Sequence, residues 1–176
     1  VQVRFLMCRL ERHILGNHLF VNAKALVFAG CFFEGEEAKS WLHKGLSILD
    51  CQIPEQILGD GGQFERSTMY HALSYEDMLD LLNLSKAFPG QFDALEMGPR
   101  EWRKIIEGMG HWLRVMCHPD GEIAFFNDAA IGIAPSPGHL FDYARRLGLP
   151  DSILNKQFYH LDSTGYIRIC KGEAVL

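Results

Sequence analysis

The run HLFVNAKALVFAGCFFEGEEAKSWLHKGLSILD, His18 to Asp50, holds the pattern from which the fold follows. Leu19, Phe20, Ala23, Leu26, Val27, Gly30 and Cys31 recur at helical spacing, which predicts a helix over 18–33. Ala38, Trp41, Leu42, Leu46 and Leu49 form the apolar stripe of a second helix over 35–50, with Glu36, Glu37, Lys39 and Lys44 on its wet side. The link between them is about two residues, and so short a link turns the second helix back antiparallel on the first.

The pattern continues outward from this pair. Val1 to Phe5 starts inside a helical pattern. Pro54 and Gly59-Asp60-Gly61-Gly62 are expected to break the second helix and form a loop. A third helix is expected near Ser67–Lys86, capped by Ser67 or Thr68 and striped by Ala72, Tyr75, Leu79 and Leu82. Pro89-Gly90 marks a loop, and Pro99 opens a fourth helix by presetting its first-turn dihedral. Trp102, Ile105, Ile106, Met109, Leu113 and Met116 give that helix one apolar face. His118-Pro119-Asp120-Gly121 is a turn, and Glu122–Asp128 a short extended stretch or loop. Ser136-Pro137 starts a last helix, which ends at Gly148-Leu149-Pro150. Beyond Asn155 the period shortens: strands are expected over 157–161, 166–170 and from 174, with turns at Ser163-Thr164-Gly165 and Lys171-Gly172. The chain therefore reads as mainly α, antiparallel helix pairs of a solenoid or toroid followed by a few short antiparallel β-strands. No fixed-period repeat accompanies the pairs.

A length of 176 residues suits one ordinary domain, or one domain and a fragment of a second. The apolar fraction of 48% supplies a core, and 22% charged residues argue against disorder. A net charge of −5 argues against broad nucleic-acid binding but allows one acidic substrate met by a few local cations. The longest apolar run, Ala25 to Phe33, is shorter than the roughly 18 residues of a membrane span. Cys8, Cys31, Cys51, Cys117 and Cys170 are odd in number and contain no CxxC pair; Cys31 and Cys117 read as buried free thiols. This pattern favours a reducing compartment over a disulfide framework. No signal peptide opens the chain, and both ends read as cut from a longer protein, so localisation stays open.

Two stretches place proton-handling side chains at the starts of apolar helices. In the first, Asn17 and His18 stand where free backbone N–H groups and a positive local potential suit an anion. Asn22 follows His18 by one turn on the same face. The plainer reading is a helix cap at Asn17 and a surface histidine. In the second, Gly61-Gly62 lead into Gln63-Phe64-Glu65-Arg66, and Tyr70 lies four residues after Arg66, expected on the same helical face. A guanidinium beside a phenol favours phenolate. The plainer reading pairs Arg66 with Glu65 or Glu76 and makes Tyr70 a core aromatic.

GNHLFVNAKALVFAG (Gly16–Gly30), PEQILGDGGQFERSTMYHAL (Pro54–Leu73) and HPDGEIAFFNDA (His118–Ala129), in that order, resemble the heparinase II/III group of polysaccharide lyases. The resemblance implies an incomplete (α/α) toroid over residues 1–150 and the first strands of a truncated antiparallel β-sandwich over 151–176. It implies β-elimination on uronic-acid glycans, a lyase activity that this fragment alone is not expected to show. Asn17 corresponds to the family asparagine that neutralises the substrate carboxylate, and His18 to its adjacent histidine. Tyr70 corresponds to the tyrosine that serves as catalytic acid, and in some members as base. Glu65, Arg66, Asn22, His71 and Asn127 are the expected substrate-binding residues, with turn capping an equal reading of Asn127. The partner implied is an acidic polysaccharide, with no nucleic acid and no membrane span. No metal or cofactor is expected in this chain, and His118 reads as structural. A homodimer through apolar surface left open by an incomplete toroid is a further expectation. Trp41 and Trp102 read as core, whereas Trp112 lies off its helix's main stripe and is the expected sugar stacker. Two other readings stand beside the lyase: a non-catalytic module that holds acidic glycan, and a helical scaffold for protein contacts.

Overall fold

The computed structural model describes residues 1–92, 95, 98–171 and 174–176. Among the described residues six helices are followed by three strands. They are α1 (Gln2–Cys8), α2 (His18–Phe32), α3 (Glu36–Gln56), α4 (Thr68–Ala87), α5 (Pro99–Val115), α6 (Pro137–Arg146), β1 (Phe158–Leu161), β2 (Tyr166–Lys171) and β3 (Ala174–Val175).

The α2/α3 pair forms as its short link requires. Gly30 lies against Leu42, and Gly45 lies against Ala23 and Val27, so the two helices run in opposite directions. The approach is close because both positions lack a Cβ. A methyl at Gly30 would come within 2.5 Å of Leu42 Cβ, and one at Gly45 within 2.7 Å of the Ala23 carbonyl oxygen. Pro54 does not end α3, contrary to the sequence reading; the helix runs on to Gln56. Pro54 lies in the last turn, where the missing N–H removes a single backbone bond. Ile53 and Gln56 are buried there, and the Ile57 N–H still donates to the Ile53 carbonyl at 3.0 Å.

α4 is the central helix. Met69, Ala72, Tyr75, Met78, Leu79, Leu81 and Leu82 are all buried, so apolar neighbours surround it. Ser67 caps its start by accepting from the Tyr70 N–H, and Ser136 caps α6 through the His139 N–H. Pro99 opens α5 as expected. Trp102, Ile106, Met109 and Leu113 of α5 complete one core with α2, α3, α4 and α6. Lys24 of α2 reaches Asp77 at 2.7 Å and Asp80 at 2.5 Å on α4, and Tyr143 of α6 donates to Asp80 at 2.9 Å.

The strands form an antiparallel sheet in the order β1-β2-β3, with Phe158 opposite Ile169 and Leu161 opposite Tyr166. Alternation sends Tyr159 and Leu161 inward, where they join Trp112, Val115, Met116 and Ala124 in a second cluster. The strand layer thus stands on α5. Arg168 of β2 donates to the Val115 carbonyl at 2.7 Å and to that of Cys117, satisfying acceptors at the end of α5. Of the expected turn at Lys171-Gly172, Gly172 lies outside the described residues. All five cysteines are free, and burial pushes the thiols of Cys31 and Cys117 up to about 11. No helix among the described residues is long and apolar enough to cross a membrane.

Candidate active site

The two polar motifs meet through Gln56 and Glu65. Gln56, buried at the end of α3, donates its side-chain amide to the Gly16 carbonyl at 3.2 Å. Its backbone carbonyl accepts from the Phe64 N–H at 2.8 Å. Gly16, in the left-handed region at φ 98°, lies against the Glu65 carboxylate; a Cβ there would be 3.4 Å from Oε1. The start of α2 and the segment leading into α4 therefore share one surface, although some 50 residues separate them in sequence.

Asn17 is the N-cap of α2 by position, but its side chain makes no capping bond. Its amide has no hydrogen-bond partner among the described residues, and it is partly exposed. The cap reading of Asn17 therefore fails, and a polar group stands free at a positive helix terminus. His18 is exposed, its Nδ1 3.6 Å from Glu11 Oε2. Asn22 is differently employed: its Oδ1 accepts from the Glu11 N–H and its Nδ2 donates to Glu11 Oε2, both at 3.0 Å. It ties the segment before α2 to that helix.

Arg66 corrects the expectation of a face shared with Tyr70. The helix starts at Thr68 with Ser67 as its cap, so Arg66 lies outside it, at φ 60°. A left-handed backbone costs a non-glycine residue about 1–3 kcal/mol. Two donors face that cost: Asn127 Nδ2 binds the Arg66 carbonyl at 2.9 Å and Tyr166 Oη binds it at 2.8 Å. Such bonds are worth about 0.5–1.5 kcal/mol each, enough to offset the strain. The exposed guanidinium makes no ion pair or hydrogen bond among the described residues, so it pairs with neither Glu65 nor Glu76. Glu65 is half-buried and held by Gln63, whose Nε2 donates to Glu65 Oε1 at 3.0 Å and whose Oε1 accepts from the Glu65 N–H at 2.9 Å. Tyr70 is half-buried against the core, and its hydroxyl has no hydrogen-bond partner among the described residues.

Two further expectations are corrected. His71 is fully buried and offers no edge to a substrate. Its Nδ1 accepts from the Gln63 N–H at 3.2 Å and its Nε2 meets the Met109 carbonyl at 3.0 Å, so the neutral ring carries its proton on Nε2. Burial pushes its pKa down to about 3. Trp112 is not a sugar stacker, because it is sealed beneath the strand layer with its Nε1 donating to Thr164 Oγ1 at 2.9 Å. Trp102 is core as expected, while Trp41 is only half-buried, edge-on to Phe33. Exposed aromatic surface lies instead on the loop that carries Asn127: Phe126 is 47% exposed and its ring is 5.1 Å from that of Tyr166.

Tyr166 is the site-proximal residue the sequence reading missed. It begins a strand and carries no local mark of function; only the fold brings it to Arg66, 100 residues away. Asp60 belongs to the same framework. Its Oδ1 accepts from the Gly62 N–H at 3.0 Å, and its Oδ2 from Thr164 N and Oγ1 at 2.7 and 2.8 Å. This fixes the loop after α3 to the β1–β2 turn. Among the described residues no three His, Cys, Asp or Glu side chains group closely enough to hold a metal ion.

A helical layer of antiparallel pairs, a strand layer on its last long helix, and a polar surface at two helix starts define the class of structure. The family model for the heparinase II/III N-terminus matches residues 2–135, and the chain belongs to that family. A heparin-sulfate lyase of Bacteroides stercoris is 33% identical over 119 residues, 66% of this chain and 17% of that protein. A heparin-sulfate lyase of Pedobacter heparinus is 34% identical over 123 residues, again 66% of this chain and 17% of that protein. The chain thus spans about a sixth of the length of these relatives. A crystal structure of heparinase III shares the fold over 98% of this chain and 29% of its own, with a TM-score of 0.78 at 20% identity. The heparan sulfate lyase HepC of Pedobacter heparinus does so over 96% and 28%, with a TM-score of 0.68 at 21% identity. The expected architecture, part of an (α/α) toroid followed by short antiparallel strands, holds.

Proposed function

We propose that this chain is the toroid portion of a lyase that cleaves uronate-bearing acidic polysaccharide by β-elimination. On this reading residues 1–150 are the toroid segment and 151–176 open a β-sandwich domain, and the chain uses no cofactor. The observation that carries the reading is the meeting of Gly16 with Glu65, which puts an uncommitted amide, an uncommitted guanidinium and an uncommitted phenol on elements that touch.

The chemical obstacle is the acidity of the C5–H. An ionised carboxylate beside it resists a second negative charge, so donors must hold the carboxylate as the enolate-like intermediate forms. Donors so placed contribute about 10²- to 10³-fold each in rate. Asn17 takes that role, with His18 beside it. Tyr70 handles the proton: the C5–H bond breaks, C4=C5 forms, and the C4–O bond to the leaving sugar breaks as that oxygen takes up a proton. Arg66 grips an acidic group of the substrate, with Glu65 and Asn127 shaping the turn that carries it. The names of the relatives, heparin-sulfate lyases, support a glycosaminoglycan as substrate.

The test is the full-length protein on a panel of polyuronates, read by absorbance of the new C4–C5 double bond. Tyr70→Phe is expected to abolish product while leaving glycan binding in place. An active Tyr70→Phe variant, or no product from the parent on any polyuronate, would refute the lyase reading. Binding without product would favour the glycan-holding module. The exposed apolar side chains of α1 and α2, Phe5 and Phe32 among them, support self-association; sedimentation across a concentration series tests it.

A further inference from the structure

The Arg66 carbonyl is an unusual hub. Residues from two other parts of the chain converge on it, Asn127 from the loop after α5 and Tyr166 from β2, and each is itself specially placed. Asn127 is the only other non-glycine described residue with positive φ, at 53°. Its amide also reaches the Glu65 carbonyl at 3.3 Å and lies 3.5 Å from Tyr166 Oη. The Tyr166 ring is held between Phe126 and Trp112, with centroids 5.1 and 6.0 Å away, so its hydroxyl is aimed by packing. Burial raises the Tyr166 pKa while Arg66 opposes the rise, so the guanidinium is within electrostatic reach of the phenol. Within the turn the Arg66 N–H donates to the Gln63 carbonyl at 2.9 Å, and the two outside donors take up the Arg66 carbonyl on its other side.

We propose that Tyr166 and Asn127 are positioning residues that hold Arg66 in its left-handed backbone and so set how strongly the chain grips an acidic sugar. The inference rests on the glycan reading above and deepens it: the strand layer controls a binding residue of the helical layer. Since Tyr166 lies in the first turn-flanked strand pair, loosening the strands loosens the grip.

The experiment is calorimetric titration of the chain with a heparan sulfate hexasaccharide at low and moderate salt. Tyr166→Phe keeps the ring and removes the donor; Asn127→Gly keeps the left-handed backbone and removes the amide. Each is expected to weaken binding three- to tenfold with an unchanged helical circular-dichroism spectrum. In an Arg66→Ala background, Tyr166→Phe is expected to have no further effect, because the held group is gone. If Tyr166→Phe weakens binding equally with and without the Arg66 guanidinium, or if neither clamp variant weakens it while Arg66→Ala does, the proposal is overturned and the glycan reading survives. If Arg66→Ala leaves affinity unchanged, or the parent chain does not bind the hexasaccharide, the glycan grip itself is overturned and the clamp with it.

Discussion

Lowering the pH from 7 to 5 is expected to weaken this fold by about 2 kcal/mol through one side chain, His71. The imidazole is fully buried, with the Gln63 N–H on one nitrogen and the Met109 carbonyl on the other. The Gln63 contact does not accommodate a second ring proton, because Nδ1 would then face an N–H donor. Burial holds the folded pKa down to about 3 against an ordinary value of 6.5. A depressed histidine disfavours the protonated form in the folded state only. The stability it contributes is therefore whole above 6.5 and is lost as the pH falls towards 3, by roughly 1–2 kcal/mol per pH unit. Urea unfolding of the parent and of His71→Gln at pH 7, 6 and 5 isolates the effect, since other titrating groups act in both proteins. The parent is expected to lose about 2 kcal/mol more than the variant across that range. Parallel pH profiles would refute the reasoning, as would an NMR titration placing the His71 ring near its ordinary value. Because Gln63 braces Glu65, the same protonation is expected to loosen the turn that carries Arg66.

Gly30→Ala puts a methyl within 2.5 Å of Leu42 Cβ and is expected to cost about 1–3 kcal/mol, visible as a lowered Tm. An unchanged Tm would show that α2 and α3 can separate freely. Lys24→Met leaves Asp77 and Asp80 facing one another without their cation and is expected to cost about 2 kcal/mol, less than a fully buried pair because the site keeps some solvent. Adding Asp77→Asn is expected to recover part of that loss, and failure to do so would argue against the charge as its cause. Asp60→Ala removes the acceptor for three donors and is expected to cost about 3 kcal/mol, with faster hydrogen exchange in β1 and β2 than in α2 and α3. Uniform exchange would show that the β1–β2 turn does not depend on this carboxylate.

Local signals carried the helices and strands. Ser67, Pro99 and Ser136 mark helix starts because a cap or a preset dihedral acts within one turn, and the structure begins its helices beside them. Ser163-Thr164-Gly165 marks a turn for a similar reason. The stripe on α5 foretold the burial of Trp102, since that helix has one wet side and one dry side. Pro54 misled because a breaker's effect depends on its distance from the helix end, and the last turn had little left to lose.

What the sequence determined by itself is the succession of elements and the order of the two motifs, because periodicity and capping are properties of neighbours a few residues apart. Only the tertiary structure decided which polar groups are spent and which are free. Trp112 looked exposed from its own helix, but the strand layer covers it with Tyr159 and Leu161, some 50 residues on. His71 shares a helix with Tyr70, yet one turns into the core against Met109 and the other keeps an uncommitted hydroxyl. Tyr166 carried no signal at all until folding laid it on the Arg66 carbonyl. Burial and hydrogen bonding are relations between distant segments, and a one-dimensional pattern records only one side of each.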